Sequence, residues 1–188
     1  MRYMKLAGIL GIALLLQVSL YAGTAEKVPS SQQKMVDQTD IRTIDGEVIH
    51  VVRTKNGLRF QGYEDKIVLL EAFGYRCPPC KASIPGYNRL QQRYRKDVVI
   101  IAVEAWGANN KVFKQFVQTH KIGYKAVSTG DSGKILSFMG KLTGWHPGLG
   151  VPYLLLFDRG GILAKDVPPQ MLPEAHVEHL IKELLNAK

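Results

Sequence analysis

Apolar residues follow two different patterns along the chain. Nearly unbroken apolar runs occupy 67–73 (Ile-Val-Leu-Leu-Glu-Ala-Phe), 98–103 (Val-Val-Ile-Ile-Ala-Val) and 153–157 (Tyr-Leu-Leu-Leu-Phe). Runs of this length and composition predict strands covered on both faces. Between them the spacing changes to threes and fours. Ile84, Tyr87, Leu90 and Tyr94 predict a helix that opens at Cys77 and runs to Arg95. Val112, Phe113, Phe116 and Val117 predict a second helix, ending before Gly123. Ile135, Leu136, Phe138 and Met139 predict a third over 131–142. Val177, Leu180, Ile181, Leu184 and Leu185 form the stripe of a fourth, starting near Pro173, a residue suited to a first helical turn. Short strands are expected at 124–128 and 162–165, the latter joined to 153–157 by the hairpin turn Asp158-Arg159-Gly160-Gly161. Upstream, Glu47 to Val52 lies between Asp45-Gly46 and Asn56-Gly57, which predicts strands joined by tight turns.

The resulting order is β-hairpin, β, α, β, α, β, α, β-hairpin, α. It implies an α/β fold: a mixed central sheet flanked by helices, with an N-terminal β-hairpin extension. No internal repeat is visible.

The first residues have a different pattern. Arg2 and Lys5 precede the uncharged apolar run Leu6 to Leu16, and Gln17 to Gly23 follows with Ala22 at a suitable cleavage position. A basic start, a short apolar core and small residues after it describe a secretory signal over 1–22, with an uncleaved membrane anchor as the alternative. Residues 23–40 are polar and aperiodic and read as an arm, leaving 41–188 as the folded domain. The folded part is therefore expected outside the reducing cytosol, in a bacterial periplasm. The chain of 188 residues carries a formal charge of +9, and loss of Arg2 and Lys5 with the signal would lower it to +7. The bases are scattered, with no long basic block and no nucleic-acid-binding motif, so no nucleic-acid partner is expected.

The chain has two cysteines, Cys77 and Cys80, separated by Pro78 and Pro79 at the predicted start of a helix. Three chemistries use such a pair. A staple closing so small a loop constrains little chain entropy. A zinc site needs two further ligands, and no second cysteine pair exists; His176 and His179 share a helix but lack partners. A redox pair suits the position well. The helix N-terminus stabilises a Cys77 thiolate, Arg76 and Lys81 add positive potential, and Cys80 lies one turn deeper to resolve a mixed disulfide. No cofactor beyond the cysteine pair itself is called for. Glu71 stands alone as an acid inside an apolar strand, where burial requires a neutral form, a partner or a task. Its bland reading is an ion pair with a lysine such as Lys66.

The segment Val68 to Cys80 (VLLEAFGYRCPPC) resembles the strand and active-site loop of thioredoxin-fold proteins. With Lys81-Ala82-Ser83-Ile84-Pro85 after it, the segment is similar to the exported TlpA/ResA/CcmG-like branch. Element order extends the resemblance from about Thr43 to Leu185. It implies a thioredoxin fold for 41–188 and a cis-proline loop at Gly150-Val151-Pro152 facing the cysteines. It implies substrate contacts from Val151, Pro152, Pro78, Pro79 and Arg76, and a proton-accepting role for Glu71. The activity implied is thiol–disulfide exchange with protein substrates, as a reductase serving cytochrome c or metal-site maturation and recharged by a membrane electron donor; with no dimerisation segment evident, a monomer is the expectation. A DsbA/DsbC-like oxidase or isomerase, and a copper chaperone of this fold, are the other readings. Two departures bear on direction: the branch often has Asn where Glu71 stands, and Trp where Arg76 stands. Tyr75, Trp106, Trp145 and His146 are further candidates for a substrate groove, with Trp106 more suited to core or rim packing.

Overall fold

A computed structural model of the protein describes residues 37–187. The signal reading at 1–22 and residues 23–36 of the arm fall outside the described residues. Among the described residues, eight strands and four α-helices follow in the order β1 (Gln38–Arg42), β2 (Val48–Arg53), β3 (Leu58–Phe60), β4 (Ile67–Phe73), α1 (Pro78–Arg93), β5 (Val98–Glu104), α2 (Asn110–Thr119), β6 (Lys125–Val127), α3 (Thr129–Thr143), β7 (Tyr153–Phe157), β8 (Leu163–Val167) and α4 (Glu174–Asn186). A short 3-10 turn, Pro147–Leu149, precedes β7. Among the described residues, no helix is long and apolar enough to cross a membrane.

The central sheet has the order β6-β5-β4-β7-β8, with β4 parallel to β5 and antiparallel to β7. Every residue of β4, β5 and β7 is buried, which is what continuous apolar strands covered on both faces require. β8 alternates between half-buried and exposed, as suits an edge. Side-chain alternation divides the core in two. Ile67, Leu69 and Phe73 face a cluster that takes in α1, α2 and α4 through Ile84, Tyr87, Phe113, Phe116, Val177 and Ile181. Val68, Leu70 and Ala72 face the other cluster, built with α3 and the N-terminal strands through Ile135, Phe138, Ile49 and Phe60.

The N-terminal extension is a three-stranded antiparallel sheet, β1-β2-β3, larger than a hairpin by one strand. β1 begins at Gln38, so the boundary of the folded unit lies before residue 41: residues 38–40, read from the sequence as arm, pair with 50–52. Two backbone bridges join this sheet to both margins of the central one. Gly57 pairs with Ile162 at the start of β8, and Thr43 pairs with Val127 at the end of β6. At the first bridge Leu58 N–H donates to the Gly161 carbonyl at 2.9 Å, and a Cβ on either Gly57 or Gly161 would run into the other strand's backbone. Glycine at both positions is what permits the approach.

Candidate active site

Cys77 and Cys80 sit where β4 hands over to α1. Cys77 is the N-cap of α1, and Pro78 and Pro79 occupy the first helical positions, where missing N–H groups leave no carbonyl unserved. The two cysteines form a disulfide, and both are 1% exposed. Cys77 Sγ accepts the Cys80 backbone N–H at 3.2 Å. That bond and the free amide end of α1 favour a thiolate at Cys77 once the disulfide opens, and the first turn of α1 holds no acid to oppose it. On its other side Cys77 Sγ lies 3.7 Å from the Val151 carbonyl. The Val151–Pro152 peptide is cis. Pro85 stands inside α1, where its ring nitrogen leaves the Lys81 carbonyl without a helical donor. Pro78 and Arg76 are exposed and Pro79 half-buried, and the Arg76 guanidinium lies 4.9 Å from the centre of the Tyr75 ring.

Glu71 is buried in β4, opposite Ala102 of β5 and Leu154 of β7. Alternation along the strand puts it on the same face as Leu69 and Phe73, with the cysteines, Tyr87 and Tyr124 in the cluster that covers that face. The Lys66 pairing fails: Lys66 Nζ donates instead to the carbonyls of Arg95 and Lys96, at 2.7 and 2.9 Å. Glu71 Oε1 has no hydrogen-bond partner. Burial alone pushes its carboxyl up to about 8. Tyr87 and Tyr124 are raised well above the ordinary phenol range by their own burial and further by Glu71, which marks the carboxyl as their neighbour.

A second buried acid was not legible as a site residue. Glu104, the last residue of β5, is 0% exposed and fully engaged. Its carboxylate accepts N–H bonds from Trp106 at 3.1 Å, Gly107 at 2.9 Å and Ala108 at 3.0 Å, with a longer one from Tyr75 at 3.4 Å. The Thr129 hydroxyl at the start of α3 donates at 2.5 Å. A terminal Glu in an apolar strand reads as an ordinary strand-end acid; only the fold brings these five donors to it.

The two tryptophans differ. Trp145 is buried, stacks on Tyr153 with ring centres 4.7 Å apart, and donates from Nε1 to the Gly150 carbonyl at 3.1 Å. It supports the Pro152 loop from behind. Trp106 is 47% exposed and lies on Gly74, where a Cβ would strike its ring. His146 is exposed. A cleft of about 440 Å³ lined by Asp45, Tyr63, Gln91 and Arg95 lies at the opposite end of β4 and β5 from the cysteines. Neither cysteine lines that cleft. Among the described residues, no cluster of three metal-ligating side chains occurs.

The family model described as thioredoxin-like matches residues 65–163, just over half of the chain and the whole stretch from the start of β4 to β8. The chain belongs to the thioredoxin-like family. Within that family it is 27% identical over 118 residues to the chloroplastic F-type thioredoxin of Spinacia oleracea, an alignment spanning 63% of this chain and 58% of that protein. The fold is shared with a thiol:disulfide interchange protein of Chlorobium tepidum, with a TM-score of 0.60 at 19% identity, covering 79% of this chain and 94% of that one. It is shared too with a secreted disulfide oxidoreductase of Mycobacterium tuberculosis described as homologous to E. coli DsbE, with a TM-score of 0.59 at 13% identity, covering 79% and 97%. The mixed sheet flanked by helices is the expected thioredoxin fold.

Proposed function

We propose that this protein is an exported thiol–disulfide oxidoreductase that acts on protein substrates through Cys77 and Cys80, working as a periplasmic reductase. The observation that carries the reading is the disulfide itself. It caps a helix N-terminus, lies by the Val151 carbonyl and belongs to the cluster that covers the face of β4 bearing a buried acid with one unpartnered oxygen. In the forward reaction the Cys77 thiolate attacks a substrate disulfide; a Cys77–substrate disulfide forms and one substrate thiolate leaves. Glu71, ionised in the reduced protein because its proton passed to Cys80 when the disulfide was opened, then takes that proton back, and the Cys80 thiolate attacks Cys77 Sγ. The second substrate thiolate leaves, the substrate has gained two electrons, and the Cys77–Cys80 disulfide has formed. An acid raised to about 8 is matched to an ordinary thiol, so the proton moves between them at small cost. It also remains on Glu71 at neutral pH in the oxidised form.

The substrate chain lies along Val151 and Pro152, with Pro78, Pro79 and Arg76 at its margin. A membrane dithiol donor returns two electrons to the oxidised protein, which acts as a monomer. The export reading rests on residues 1–22 and on the secreted relative. The reductase direction, with cytochrome c or metal-site cysteines as substrates, rests on the CPPC segment's resemblance to the TlpA/ResA/CcmG-like branch. Equilibration with glutathione and dithiothreitol tests the direction. A potential near thioredoxin's, about −270 mV, supports a reductase, and one near DsbA's, about −120 mV, overturns it in favour of an oxidase. Cys80→Ala is expected to trap substrates on Cys77. Stoichiometric copper binding without turnover would replace the enzymatic reading by a chaperone.

A further inference from the structure

The disulfide loop leaves the sheet between two other loops. In the order β5-β4-β7, register places Glu104 beside Phe73 on one side and Tyr153 beside Ala72 on the other. Gly74 to Cys77 is therefore flanked by the Val151–Pro152 loop from β7 and by residues 105–108 from β5. The first touches Cys77 Sγ. The second presents Trp106, whose ring covers Gly74, and the Gly74 carbonyl in turn accepts the Cys77 N–H at 2.9 Å.

Loops are ordinarily among the more mobile parts of a fold. Here three consecutive backbone N–H groups, from Trp106 to Ala108, and the Tyr75 N–H all end on one buried carboxylate. Bonds to a charged acceptor are the stronger class. An aromatic ring nearly half exposed is thereby carried on an anchored backbone and rests on Gly74, in the loop that leads to Cys77. We infer that Trp106 is a second wall of the substrate site. It contacts an apolar or aromatic side chain next to the substrate cysteine, and Glu104 is the positioning residue that holds it there. The inference rests on the oxidoreductase reading above.

Two peptide disulfides that differ only in Phe or Gly beside the cysteine test it, with glutathione disulfide as a third substrate. The wild-type protein is expected to favour the Phe peptide about tenfold in kcat/KM, the worth of one aromatic contact. Trp106→Ala should reduce that preference to within about twofold, mainly through KM, and Trp106→Phe should keep most of it. Glu104→Ala should reduce it similarly, and the double variant should add nothing beyond Trp106→Ala. Where Glu104→Ala does not fold by circular dichroism, Glu104→Gln, which keeps one acceptor oxygen, takes its place. Absence of a preference in the wild type, or its survival in Trp106→Ala, overturns the proposal while leaving the oxidoreductase reading intact. Failure of the wild type to reduce any of the three substrates overturns both.

Discussion

Glu71 and Glu104 stand on adjacent strands of one sheet, two register positions apart, and both are removed from water. Their surroundings are opposite. Glu104 lies at the strand end, where the chain turns back and five donors converge on it. Glu71 lies in mid-strand, where the backbone groups are spent on β5 and β7 and its Oε1 finds no donor. The same side chain is an anchor in one place and, in the proposed mechanism, a proton store in the other. What decides between them is whether the local backbone has N–H groups to spare.

The sharpest way to break this comparison is to remove each carboxyl and ask for opposite signs. Glu104→Ala leaves five donors without their acceptor, and the expected loss of stability is about 4 kcal/mol or more in urea unfolding. A loss under about 1 kcal/mol would mean that water replaces the carboxylate without penalty and that it anchors nothing. Glu71→Leu should do the reverse. In the unfolded chain this acid ionises near 4.5, whereas in the folded protein it holds its proton to about 8. The folded state therefore binds more protons between those values, and stability falls as pH rises from about 4.5 to about 8. Leucine removes that dependence, so the variant is expected to be more stable at pH 8, by on the order of 3 to 5 kcal/mol, and equal to or less stable than wild type at pH 4. Unfolding curves at the two pH values decide it; a variant less stable at both would point to an undetected partner for Glu71.

Smaller effects separate chemistry from architecture. Glu71→Gln cannot accept the Cys80 proton. In single-turnover mixing it should slow release of the mixed disulfide by about tenfold to a hundredfold while the first attack by Cys77 keeps its rate. Equal slowing of both steps would leave Glu71 without a role in resolution. Thr129→Val removes one of the five donors to Glu104 and should cost about 1 kcal/mol, leaving the four backbone bonds in place. A loss as large as that of Glu104→Ala would mean that the hydroxyl, not the loop backbone, carries the anchor.

The continuous strands, the helix that Cys77 opens and the alternation of elements were all legible, because periodicity reports burial directly. Glu71 was legible for the same reason: an acid is conspicuous in the run Ile67 to Phe73. Glu104 was not, since its meaning comes from Tyr75 and Thr129, far away in sequence. β1 was hidden too. Gln38, Asp40 and Arg42 are exposed, and the strand is held by pairing with β2 rather than by a stripe of its own. The tryptophans show a further limit. Trp145 and Trp106 both follow an element end, and only packing on Tyr153 or on Gly74 distinguishes the buried prop from the exposed wall.

The two bridges between the sheets set a sequence of events for the growing chain. Residues 38–60 are made early, yet the margins they close belong to β6 and β8, made much later. Ile49, Val51 and Phe60 must therefore wait, unburied, until the strands they cover exist. Pulse-labelling hydrogen exchange during refolding is expected to protect β4 and β5 first and β1 to β3 last. An isolated fragment of the matched stretch, 65–163, would lack both that cover and α4, and is expected to associate through its bare apolar face rather than fold.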